Sequence, residues 1–172
     1  MAHSFTRRSF LKAGIFGALA LAAAGGIYRM TRTPEIPGRF ILDDGIRSAL
    51  AAIIPVILDG TVRPGTPDVA AAIERTHAAI LGLPLATQKE IQDLFALLTL
   101  APTRRFLAGV PDDWSHAKKE DVAAFLQSWR LHRIGMLQAA YQALHDLVTG
   151  PWYADESTWQ AIGYPGPIKE LS

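Results

Sequence analysis

Residues 43–58 read DDGIRSALAAIIPVIL, and their apolar spacing decides the fold class. Ile46, Leu50, Ile53, Ile54, Ile57 and Leu58 recur at 3.6-residue intervals, the period of one helix face. A half-buried strand would alternate every second residue, and no stretch of β-branched residues in the chain does so. The spacing predicts a helix over about Asp43 to Leu58, kinked at Pro55, which has no N–H to donate.

The same period continues downstream. After the loop DGTVRPGTP, Thr66 is placed to cap a second helix with Pro67 at its first position. That helix shows Val69, Ile73, His77 and Ile80 on one face and stops at Gly82. Thr87-Gln88-Lys89-Glu90 has the form of a capping box, opening a third helix with Ile91, Leu94, Phe95 and Leu98 that ends at Pro102. A short piece around Phe106 follows. Ser115 begins a long helical stretch carrying Val122, Phe125, Leu126, Trp129, Leu137, Tyr141, Leu144 and Val148, closed by Gly150 and Pro151. The expectation is an all-α fold: a small bundle of four to five helices with an irregular aromatic C-terminal segment and a signal helix in front. The segments are 1–30, a signal or anchor; 31–42, a linker rich in proline, glycine and charge; and 43–172, the helical domain.

The N-terminal segment has its own logic. Thr6-Arg7-Arg8-Ser9-Phe10-Leu11-Lys12 matches the twin-arginine export consensus at every position. Arg7, Arg8, Phe10, Leu11 and Lys12 are the residues a translocase receptor would read. Ala13 to Tyr28 is free of charge but as a helix spans only about 24 Å, short of the ~30 Å hydrocarbon core. It therefore reads first as the apolar region of a signal peptide, with Ala22-Ala23-Ala24 supplying the cleavage site, and second as an uncleaved anchor. The route carries folded cargo to the periplasm.

Composition narrows the chemistry. The 172 residues, 49% of them apolar, suffice for one domain that buries roughly 70% of its unfolded surface. There is no cysteine, which excludes disulfides, thiolate metal sites, iron–sulfur clusters and Cys-linked haem. Charge is nearly balanced at +1, so nucleic acid is not an expected partner. No glycine-rich nucleotide loop or nucleophile elbow is present. His3, His77, His116, His132 and His145 share no metal-ligand spacing, and each reads as a surface or core-edge residue. With His132 and His145 on one unbroken helix they would lie about 20 Å apart. The acid pairs Asp112-Asp113 and Glu120-Asp121 point apart on a helix and read as dipole-stabilising residues. No catalytic, cofactor-binding or metal-binding residue is expected in this chain.

One dense cluster remains. GPWYADESTWQAIGYPGP, residues 150–167, holds Trp152, Tyr153, Trp159 and Tyr164 among three glycines and three prolines. Either it folds back so that its aromatics plug the bundle, or some of them anchor a partner. Trp and Tyr dominate interface hot spots because they bring large area with few rotors.

Residues 46–81 (IRSALAAIIPVILDGTVRPGTPDVAAAIERTHAAIL) and 152–167 (WYADESTWQAIGYPGP) together resemble the gluconate 2-dehydrogenase subunit 3 family. The most specific parts are Ile54-Pro55, the Pro64-Gly65 loop, and Trp159 with Ile162-Gly163-Tyr164-Pro165-Gly166. Val56 to Gly60 departs from the acid-rich loop of relatives, so no substrate carries over. The resemblance implies a small subunit without a redox centre. Its partners would be a large FAD-binding dehydrogenase of the glucose–methanol–choline (GMC) type, commonly a multihaem cytochrome c subunit, the twin-arginine translocase and the cytoplasmic membrane. Its task would be to help the flavoprotein mature and leave the cytoplasm. Trp152, Tyr153, Trp159, Tyr164 and Pro165 are the expected partner contacts. The alternatives are an independent periplasmic helical ligand-binding protein and a membrane-tethered scaffold.

Overall fold

The computed structural model describes residues 38–159 and 163–165. The export motif at Arg7, Arg8, Phe10, Leu11 and Lys12, the cleavage site after Ala24, and Ile162, Gly166 and Pro167 lie outside these residues. Among the described residues every regular element is helical.

Helix α1, Asp44–Ile57, is the central element. Asp43 caps it by accepting the N–H of Ile46 at 2.8 Å. Ile46, Leu50, Ile53 and Ile54 are buried, as their spacing predicts, and Leu58 joins them just past the end. Each such side chain contributes about 1.5–3 kcal/mol by leaving water. Around α1 pack α2 (Pro67–Leu81), α3 (Leu85–Thr99), α4 (Lys119–Arg130) and α5 (Gly135–Tyr153). A 3-10 turn at Trp114–His116 also packs on α1, and a short α6, Glu156–Trp159, follows α5. Pro55 lies inside α1 but only two residues before its end, so it removes one ladder bond next to a terminus.

Several local expectations are corrected. Pro84 takes the N-cap of α3, and Thr87 and Gln88 lie within the helix, so there is no capping box. Gln88 does something of longer range. Its buried amide donates to the carbonyls of Leu81 (3.2 Å) and Leu83 (2.8 Å) and accepts the N–H of Phe40 (2.9 Å). It thereby satisfies the C-terminal end of α2 and holds the chain entering α1. Phe40, at the end of the stretch read as linker, is buried against Phe95. Thr66 does precede α2, but its hydroxyl turns back to donate to the Arg63 carbonyl at 2.7 Å instead of capping the helix.

Pro102 does not stop the chain's winding. α3 ends at Thr99, and Ala101–Thr103 leads into a π-helical turn, Arg104–Ala108. The stretch expected to be one long helix from Ser115 is broken after Arg130. Leu131 to Ile134 form a connection in which the His132 ring accepts the N–H of Ile134 at 3.1 Å. That side-chain bond competes with the helical ladder for the donor. His132 and His145 therefore do not share a helix. Gly150 and Pro151 do not end α5, which runs on to Tyr153; the continuation carries Trp152 into the core.

Candidate interaction surface

The aromatic C-terminal segment is built on α2 as much as on α5. Arg75, on α2, lies with its guanidinium carbon 4.8 Å from the Trp152 ring centroid. The same guanidinium pairs with Asp155 Oδ2 at 2.8 Å and donates to the Ser157 hydroxyl at 3.3 Å. Asp155 Oδ1 accepts both the backbone N–H and the hydroxyl of Ser157, which closes the turn into α6. The Ser157 hydroxyl, then its N–H, then Arg75 hold the Asp155 carboxyl below the ordinary aspartate value of 3.8. Thr158 is buried, with its hydroxyl near the carbonyls of Trp152 and Asp155.

On this base the remaining aromatics stand in one shape. Trp159 Nε1 donates to the Tyr153 carbonyl at 2.8 Å. Tyr164 meets Trp159 edge to face at 5.2 Å, and its N–H bonds the Trp159 carbonyl at 2.9 Å. Gly163 allows this return with φ of 71°, a left-handed conformation that costs a residue with a Cβ. The two sequence readings divide the cluster between them. Trp152 is 6% exposed and plugs the bundle, so it presents no anchor; Tyr153 and Tyr164 are 37% and 46% exposed, Trp159 is half-buried, and Pro165 is exposed.

A second surface was invisible in the sequence. The π turn is pinned on both sides. Arg104, almost wholly buried, pairs with Asp113 at 2.7 Å, and Trp129 Nε1 donates to the Leu107 carbonyl at 3.1 Å. Gly109, with φ of 70°, ends the turn with its N–H on the Arg104 carbonyl. So held, the turn leaves Phe106 90% exposed. Leu107, Leu131, Ile134 and Met136 are also exposed, the last three at the junction of α4 and α5.

Other clusters offer less. An open depression of about 680 Å³ along α4 is lined by Gln127, Ser128, Leu131, His132 and Arg133. His116 lies 3.0 Å from Ser115, and His145 lies 3.2 Å from Asp146 Oδ1, which also accepts from Gln142 at 2.8 Å. His77 packs beside Phe40. Asp59 is likewise a carboxylate held low, by the hydrogen bond and charge of Lys119 at 2.7 Å; both are surface structural pairs. Among the described residues no group of acids and histidines has the geometry to hold a metal ion, and no helix is long and apolar enough to cross a membrane. No protein-family model, curated protein or solved structure matches this chain.

Proposed function

We propose that this chain is a non-catalytic small subunit of a periplasmic FAD-dependent GMC-type alcohol or sugar-acid dehydrogenase, assisting the flavoprotein's folding, twin-arginine export and assembly. In this reading the helices form a compact bundle behind a signal helix, FAD sits in the large subunit, and a haem c subunit completes the complex. The observation that carries the proposal is the preorganised aromatic face of Tyr153, Trp159, Tyr164 and Pro165, held by the Arg75–Asp155–Ser157 network. A face ordered before binding loses little entropy on association. The complete signal motif at Arg7-Arg8 supplies the other half, since that route accepts folded cargo.

The test is to replace Arg7 and Arg8 together by Lys and measure the flavoprotein in the periplasm. The expected outcome is its loss from that compartment together with dehydrogenase activity. Normal periplasmic activity would end the escort reading. The paired variant Tyr153→Ala with Tyr164→Ala should export normally but release the large subunit in pull-downs.

A tethered form of the same subunit is favoured by the uncharged stretch Ala13–Tyr28. The mass of the mature chain decides it, because cleavage after Ala24 removes the tether.

A further inference from the structure

The π turn and the α4–α5 junction carry a second group of exposed apolar side chains, and their surroundings differ from those of the C-terminal aromatic face. The two lie at opposite ends of α5. Met136 and Tyr153 are separated by about 25 Å along its axis at 1.5 Å per residue. The bond from Trp129 to the Leu107 carbonyl ties the π turn that carries Phe106 to the last turn of α4, and Leu131 and Met136 follow that turn along the chain. Both of those side chains are mostly exposed, like Phe106.

The charge around these apolar groups is one-sided. Arg105 in the π turn and Arg130 and Arg133 beside Leu131 are exposed, with Arg105 Nε donating to the Pro111 carbonyl at 3.0 Å. Buried Arg104 is neutralised by Asp113, which leaves Asp112 as the exposed acid next to the π turn. No acidic residue occurs anywhere from Val122 to His145. Across residues 38–159 acids outnumber Lys and Arg, so the positive end stands against a negative remainder.

We propose that this end docks on an anionic lipid surface, with Phe106 and its apolar neighbours entering the headgroup boundary and the exposed Arg105, Arg130 and Arg133 meeting lipid phosphates. Exposed apolar side chains with exposed arginines on the same segments suit that boundary, where aromatic and aliphatic groups leave water while long cationic side chains stay with the headgroups. The charge complementarity selects lipid over a neutral protein surface. The pinned backbone of the π turn means Phe106 is presented without further ordering. The proposal does not rest on the escort function; it concerns a different surface and needs no flavoprotein.

The absence of cysteine makes the test direct in the full chain. Single cysteines are placed by Phe106→Cys, Leu131→Cys and, as a distant control, Glu156→Cys, each carrying an environment-sensitive dye. Phosphatidylcholine vesicles with and without phosphatidylglycerol are added. The expected result is a blue shift and quenching by spin-labelled lipid at 106 and 131, only with phosphatidylglycerol, and none at 156. Arg105→Glu with Arg133→Glu should weaken that partition roughly tenfold or more. If the dyes at 106 and 131 stay water-like while the chain sediments with vesicles, only the N-terminal segment binds lipid and the proposal fails. Equal shifts at all three sites also overturn it. So does a shift at 106 that appears with a purified protein partner and not with vesicles.

Discussion

The Arg75 guanidinium sits over the Trp152 ring at 4.8 Å while gripping Asp155 at 2.8 Å, tying residues of α2 to the turn beyond α5 across some eighty positions of sequence. A single cation thus covers the buried plug of the bundle and fixes the base of its aromatic face.

Arg75→Ala should cost about 1–2 kcal/mol in urea unfolding, mostly through lost contact with Trp152. The Asp155 pair adds little, because it is at the surface and screened. Arg75→Lys should recover only part, since an ammonium cannot stack on the ring and reach Asp155 and Ser157 together. Equal stability of all three proteins would show that Arg75 does not hold this turn.

Acid should loosen the same turn. The folded-state pKa of Asp155 lies below its ordinary 3.8, so its stabilising contribution is fully present above 3.8 and is lost as pH falls through the lower folded value. Hydrogen exchange at the Ser157 amide should accelerate over that window. Asp155→Asn should remove the pH dependence while leaving fast exchange throughout. A Ser157 amide equally protected at every pH would contradict the capping role.

Gln88→Ala should be among the more damaging polar substitutions, by about 2–3 kcal/mol. It leaves the Phe40 N–H without its acceptor and removes the donor from the Leu81 and Leu83 carbonyls. Gln88→Glu should be no better, because it keeps the acceptor but replaces the donor with a buried charge. Chemical denaturation of the three proteins provides the comparison; a neutral Gln88→Ala would mean water serves these groups.

Trp129→Phe keeps the edge-to-face packing position against Phe125 but drops the N–H that bonds the Leu107 carbonyl. Stability should fall by about 1–2 kcal/mol. Amide exchange in residues 104–109 should rise more than in α1. Uniform acceleration across the protein would point to a packing defect instead of release of the π turn.

The apolar period of residues 43–58 was enough to specify helices, because burying a helix face requires that spacing whatever the neighbours are. The buried set Ile46, Leu50, Ile53 and Ile54, the cap position of Thr66 and the stop at Gly82 were all legible for the same local reason. What the pattern could not rank was competition between local and distant partners. Gln88 looked like a mere spacer between Thr87 and Glu90 of a capping box; the fold used it to tie Phe40 to the end of α2. His132 looked helical until its ring took a backbone donor at the break.

The aromatics of residues 150–167 were visible as a group, but not which of them the core would claim. Trp152 went inward because α5 passes through Pro151 and Arg75 covers the ring; Tyr153 and Tyr164 were left outside. The positive apolar end was wholly a product of tertiary structure. Arg105 stands some twenty-five residues from Arg130 and Arg133, and the summed charge of the chain is near zero. Sequence determined the helices because their periodicity is a property of neighbours along the chain. Folding alone decided the surfaces, because a surface is made of residues that meet only when distant segments pack.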